Sequence, residues 1–64
     1  MRLDNFVAEL LRTSRTKATE FIEEGRIFVN YEETYKSSKA IKEGDILTIR
    51  GKRKIYYRRY RKND

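Results

Sequence analysis

The sequence predicts an α+β fold in which two short N-terminal helices form a corner packed on a small antiparallel β-sheet. Three observations carry that expectation. Apolar residues recur at helical spacing as far as Gly25, they recur every second residue beyond it, and the later segments are short and bounded by turn residues. With 64 residues the chain suffices for a single domain, 1–64, with a core over 2–50 and a basic, aromatic C-terminal strand or tail over 51–64. A chain of this size buries only about 60% of its unfolded surface, so its core is marginal.

Leu3, Phe6, Val7, Leu10 and Leu11 form one apolar stripe, with Asn5, Glu9 and Arg12 turned the other way, which predicts a first helix over 3–11. Thr13 and Ser14 interrupt it. Ser14 suits an N-cap, because its hydroxyl can accept an otherwise unpaired N–H of the next turn. Ala18, Phe21 and Ile22 supply the buried face of a second helix, and Gly25 closes it in the left-handed C′ conformation. Residues 26–30 then read as a strand with Ile27 and Val29 on one face. A short returning strand is expected over 33–36, a turn over 42–45, a strand over 46–50, a second turn at Gly51 and a last strand over 55–60.

Charge is distributed unevenly. Residues 1–49 carry 8 Lys/Arg against 9 Asp/Glu, whereas residues 50–64 carry 8 Lys/Arg and one acid, Asp64. The whole net charge of +6 therefore comes from the C-terminal segment. Such a block suits a polyanion, nucleic acid first and an anionic membrane surface second, or it is a solvated tail that aids solubility. The chain has neither histidine nor cysteine, so the commonest general base and the thiol nucleophile are missing. Glu20 and Glu23 lie opposite the Ala18, Phe21 and Ile22 stripe and read as a solvated face rather than a catalytic pair. No phosphate-binding glycine loop or dinucleotide fingerprint occurs. Catalysis by this chain, a metal, a cofactor and a small-molecule substrate are all unexpected. No apolar run reaches the ~18 residues of a membrane span, and a cytoplasmic protein without membrane attachment is expected.

The remaining bases can be placed on the helices. Arg15 and Lys17 flank the apolar stripe at the start of the second helix, one on each side. Arg2 precedes the first helix, Arg12 ends it, and Arg26 follows the second. A helix N-terminus with unpaired N–H groups suits a phosphate, so Ser14, Arg15 and Lys17 could converge on one anion. Alternatively, Ser14 only caps and the bases only solvate the rim.

Four motifs in order carry a resemblance: Arg2-Leu3-Asp4; Ser14-Arg15-x-x-Ala18; Gly25-x-Ile27-x-Val29-Asn30; and Gly44-Asp45-x-Leu47-x-Ile49. Together they resemble the S-four RNA-binding domain, the module named after ribosomal small-subunit protein four and also called the alpha-L motif. The resemblance covers roughly residues 2–50. It implies a domain that binds structured RNA, rRNA or tRNA, through the helical corner and the loops beside it, with the ribosomal subunit as partner. The family's polar positions fall on Arg2, Ser14, Arg15, Lys17, Arg26 and Asn30, with Lys36 and Ser37 as further contributors. Such contacts read RNA shape more than sequence, because the duplex major groove is too deep and narrow for side chains.

Two positions depart from the family pattern. Many relatives have glycine after the Val-Asn pair, where a tight turn wants positive φ; this chain has Tyr31, so a longer or differently shaped turn is expected. Arg53 stands where a second glycine is common. An aromatic at position 31 and the 49–52 segment are similar to one subgroup, the C-terminal domain of bacterial proteins encoded near cell-division genes and linked to ribosome quality control. The resemblance also allows a small free-standing ribosome-associated protein. A second reading is the targeting domain of a larger RNA-modifying enzyme or tRNA synthetase, since such domains accompany pseudouridine synthases and tyrosyl-tRNA synthetases. A third is a basic module for membranes or proteins, driven by the tail alone.

In the tail, Ile55, Tyr57 and Arg59 alternate with Tyr56, Arg58 and Tyr60, as a strand paired with 46–50 requires. We expect Ile55 and at least one tyrosine to pack, while Arg58, Arg59, Arg61 and Lys62 add non-specific attraction. Alternatively, the tyrosines stack on unpaired bases.

Overall fold

The computed structural model describes residues 1–61, so Lys62 lies outside the described residues. Two helices, α1 (Leu3–Leu11) and α2 (Arg15–Glu23), precede four strands: β1 (Ile27–Val29), β2 (Glu32–Glu33), β3 (Ile46–Arg50) and β4 (Ile55–Arg59). The strands form one antiparallel sheet in the order β2-β1-β3-β4. This is the α+β arrangement that the two periodicities predict.

Both ends of α2 are built by local chemistry. Ser14 Oγ accepts the Lys17 N–H at 3.1 Å. At the other end Gly25 has φ +78°, its N–H reaches the Ile22 carbonyl at 3.0 Å, and the Arg26 N–H reaches the Phe21 carbonyl at 3.2 Å. That pair of bonds is a Schellman motif, which consumes carbonyls the helix cannot satisfy itself. The start of α1 is capped differently. Arg2 offers no side-chain cap; instead the Leu3 and Asp4 N–H groups donate to the carbonyls of Lys39 (2.8 Å) and Ser37 (3.0 Å). A distant loop thereby satisfies the orphan donors and is fixed against the helix. Burial of Ile41 at 3% exposure and the Ile41 N–H bond to the Met1 carbonyl (2.7 Å) anchor the same loop.

Leu3, Phe6 and Val7 from α1, Ala18 and Ile22 from α2, and Ile27, Val29, Leu47 and Ile49 from the sheet close the core around Ile41. Period-two alternation leaves the other sheet face without helices: the Phe28, Thr48 and Tyr57 row points there, as do Ile55 and Arg50. This register corrects one expectation. Ile55 does not pack; it is 54% exposed, because its pairing with Arg50 places it on the helix-free face. The residue that packs is Tyr60, whose ring meets Phe6 edge-on at 5.1 Å and whose N–H bonds the Asp45 carbonyl at 2.8 Å.

The β1–β2 connection corrects a second. The sequence predicts a longer or differently shaped turn around Tyr31, but Val29 pairs with Glu32, so the turn is the tight two-residue one, Asn30 (φ +52°) and Tyr31 (φ +68°). Positive φ at both positions marks a type I′ hairpin turn. Tertiary bonds hold it. The Asn30 N–H donates to the Ile46 carbonyl (2.7 Å), Asn30 Oδ1 accepts the Ile46 N–H (3.0 Å), and Asn30 Nδ2 donates to Asp45 Oδ1 (3.2 Å). The tight turn also moves the returning strand forward, to 32–33 instead of 33–36.

Candidate nucleic-acid interface

Asp4 organises the corner. It is only 2% exposed, and its carboxylate accepts Arg2 Nε at 3.2 Å on Oδ1 and Arg2 Nη2 at 3.0 Å on Oδ2, a bidentate pair. Oδ1 also accepts the Asn5 N–H at 2.7 Å, and Arg15 Nη2 stands 3.7 Å from Oδ2. The Arg2 hydrogen bonds, then the Asn5 N–H and the two guanidinium charges, hold the Asp4 carboxyl below the usual carboxylate range against the opposing effect of burial. One buried acid thus gathers two arginines from two helices while leaving both guanidinium groups largely in solvent. The local charge stays positive, and the Arg2 fork, held by two hydrogen bonds, has a fixed direction with the Arg15 guanidinium beside it.

Around this pair stand the start of α2 and the capping loop. Ser14 accepts through its oxygen, so its hydroxyl proton remains able to donate elsewhere. Lys17, in the first turn of α2, makes an exposed i,i+3 pair with Glu20 at 3.6 Å, the kind of surface contact that constrains little. Lys36 and Ser37 belong to the turn closed by the Lys39 N–H bond to the Lys36 carbonyl (3.2 Å), the same loop that caps α1. Arg2, Ser14, Arg15, Lys17, Lys36 and Ser37 are therefore carried by three neighbouring segments tied together through Asp4 and the α1 cap.

The other sequence-predicted residues go elsewhere. Arg26 sits past the far end of α2, a helix ~13 Å long. There its Nε donates to the Arg50 carbonyl at 3.0 Å, its Nη1 meets Glu24 at 3.4 Å, and its guanidinium covers the Phe21 ring at 4.8 Å. It fastens α2 to β3. Asn30 has its side-chain amide engaged on both sides, by Asp45 and by the Ile46 N–H. Arg12 ends α1 in the left-handed region (φ +54°) and joins Arg58 and Tyr56 in lining an open cleft of about 340 Å³ on the helix side of β4. Arg59 lies on the opposite sheet face, where its Nη1 donates to the Gly44 carbonyl at 3.2 Å. Arg61 is exposed beyond β4.

Sequence reasoning missed Asp4 and Lys39 as parts of this site. A signal for Asp4 existed: it falls on the helical stripe with Val7 and Leu11, where an acid must be paired. Lys39 had none, because its place depends on its carbonyl capping α1 from 36 residues away in sequence. Among the described residues no cluster of three or more Asp and Glu could hold a metal ion, and no helix is long and apolar enough to cross a membrane.

Comparison with known proteins agrees with this geometry. The S4 domain family model matches residues 1–47. Two proteins of Helicobacter pylori, each named an uncharacterized RNA pseudouridine synthase, are 40% (strain ATCC 700392 / 26695) and 38% (strain J99 / ATCC 700824) identical to the chain over 48 residues. The match covers 75% of this chain but only 15% of either relative. A crystal structure of a pseudouridylate synthase superposes with a TM-score of 0.73 at 31% identity, over 77% of this chain and 21% of that one. With a family match across most of its length and the two-helix corner on its sheet, the chain belongs to the S4 domain family of RNA-binding modules.

Proposed function

We propose that the chain is a non-catalytic module that recognises folded RNA, either rRNA or tRNA, in a ribosome-associated setting in the cytoplasm. The observation that carries this reading is the pairing of Arg2 and Arg15 on buried Asp4 beside the N-terminus of α2. One guanidinium fork fixed on Asp4, with the Arg15 guanidinium beside it at the N-terminus of α2, matches phosphates held at fixed spacing, as in a folded RNA, better than phosphates of a flexible strand. Lys17, Ser14, Lys36 and Ser37 widen this footprint, while Arg12 and Arg58 form a separate basic cleft that adds non-specific attraction. The test is a fluorescence-anisotropy titration of a folded rRNA fragment and of an unstructured RNA of equal length. Arg15→Ala combined with Lys17→Ala is expected to weaken the folded RNA about tenfold more than the unstructured one. Equal affinity of parent and double variant for the folded RNA would refute the assignment of the corner.

A second reading is favoured by the relatives: the chain spans 15% of the length of the pseudouridine synthases it matches. On that reading the module targets an RNA-modifying enzyme whose catalytic region lies elsewhere. Sequencing the complete reading frame separates the two, because a synthase domain in the same frame supports the second.

A further inference from the structure

The sheet has two faces, and the helices cover one. On the other, β3–β4 pairing lines up three cross-strand rows: Arg50 with Ile55, Thr48 with Tyr57, and Ile46 with Arg59. Phe28 extends the middle row, and Tyr31 stands at its edge in the hairpin turn. Phe28, Tyr31, Thr48, Arg50, Ile55 and Tyr57 line an open depression of about 200 Å³. Tyr31 is 67% and Tyr57 62% exposed. An arginine row thus lies ~7 Å to either side of the aromatic row along the strands. Among the described strand residues the acid paired into this face is Glu33, opposite Phe28, and its carboxylate raises the pKa of the neighbouring Tyr35 hydroxyl.

Two features of this face oppose stability. Tyr31 holds φ +68°, where glycine is the unstrained residue and a bulky side chain is costly. Thr48, 8% exposed, buries a hydroxyl with no hydrogen-bond partner among the described residues, which a valine of equal shape would avoid. Departures of this kind concentrate where residues are kept for binding rather than folding, and here two of them meet in one depression.

We propose that the helix-free sheet face is a second RNA contact, a platform on which unpaired nucleotides stack against Tyr57 and Tyr31 while Arg50 and Arg59 meet their phosphates. The occupant follows from the chemistry. Flat, exposed aromatic rings accept any base, and the flanking arginines, within a 15-residue segment of net charge +7, select a polyanion over an apolar protein surface. The corner site lies on the opposite side of a domain no more than 31 Å along any principal axis, so one RNA can engage both faces. This inference rests on the RNA-binding reading and divides its labour: the corner holds folded RNA and the sheet holds an adjoining single strand.

Three RNA probes test it by anisotropy: a blunt hairpin stem, the same stem with an unpaired 3′ extension of about eight nucleotides, within the ~4–16 typical of small single-strand sites, and that extension alone. For the parent protein the extension is expected to tighten binding to the stem about tenfold, within the range of one stacked base. Tyr57→Ala removes that gain and leaves blunt-stem affinity unchanged, Tyr57→Phe keeps it, and Arg15→Ala lowers affinity for both stems. Tyr31→Gly and Thr48→Val are expected to raise the melting temperature while reducing the gain. An extension that adds less than twofold, or a Tyr57→Ala variant that binds both stems with equal loss, overturns the platform. So does a concentration-dependent dimer that Tyr57→Ala dissociates, which assigns the face to a second copy. Binding of the extension alone, dependent on Tyr57, with no binding of the blunt stem, keeps the platform and refutes the corner; binding to no probe refutes both.

Discussion

Asp4→Asn tests the corner most sharply, because two physical accounts predict opposite signs. The substitution keeps shape and one acceptor but replaces Oδ2, which faces Arg2 Nη2 at 3.0 Å and Arg15 Nη2 at 3.7 Å, with an NH₂ group. A donor then faces donors. A charge-assisted bond disappears and a buried amide donor is left unpaired at a position only 2% exposed, which costs ~1–3 kcal/mol. Arg2 is half in solvent and rehydrates, so the cost rests on the buried position alone, about 2 kcal/mol. For a domain of this size each kcal/mol shifts the midpoint by ~4–8 °C, so the variant is expected to melt roughly 10 °C lower at pH 7 by circular dichroism. The pH dependence fixes the cause. Because the folded-state value of Asp4 is depressed, its stabilisation is present above the ordinary value of 3.8 and is lost as pH falls through the lower folded value. The gap between parent and variant should therefore be constant from pH 5 to 7 and close below 3.8. In binding, a net-charge argument predicts that removing an acid tightens RNA, whereas loss of fixed guanidinium geometry predicts a several-fold weakening. A variant that melts with the parent and binds RNA more tightly would refute the organising role of Asp4.

Three further outcomes are expected. Gly25→Ala forces alanine to φ +78° and brings Cβ within 2.9 Å of the Tyr35 hydroxyl oxygen, so a loss of about 1–2 kcal/mol is expected in urea unfolding, with no loss refuting the Schellman assignment. Tyr60→Ala removes the edge-on contact with Phe6 and should lower stability by about 2 kcal/mol, a value near zero showing that β4 is only appended to the domain. If Arg2, Arg15 and Lys17 each meet one phosphate, the slope of log affinity against log salt should be about 2–3 and fall by nearly one in Arg15→Ala; an unchanged slope removes Arg15 from the interface.

The elements legible in the sequence are those governed by local chemistry. Ser14 and Gly25 announce both ends of α2 because a cap and a left-handed residue act within one turn. Period two announces β1, β3 and β4, but period alone gives two rows and does not say which one meets the helices. Period alone therefore admits Ile55 to the inner row and does not single out Tyr60, although register puts Tyr60 on Phe6. The hairpin at Asn30-Tyr31 is not legible for a related reason. Its local cost is visible in the sequence, whereas the bonds that hold it come from Asp45 and Ile46, 15 and 16 residues away. In the site, Arg2 and Arg15 were legible as bases on a corner, but their convergence was not, since it requires α2 to cross α1 over Asp4.

That convergence bears on why the module devotes an acid to a site for anions. A solvated arginine carries ~2 kcal/mol of rotamer entropy that ordering on a phosphate must overcome. Asp4 orders Arg2 through two hydrogen bonds in the unbound protein and draws Arg15 to the same carboxylate. Part of that cost is thereby met by folding, at the expense of one unit of positive charge. The exchange favours binding only if the partner's phosphates arrive already spaced, because a flexible strand must order itself in any case and responds chiefly to net charge. A corner built this way discriminates folded from unfolded RNA, while the exposed cations of the β3–β4 turn, Lys52, Arg53 and Lys54, attract both alike.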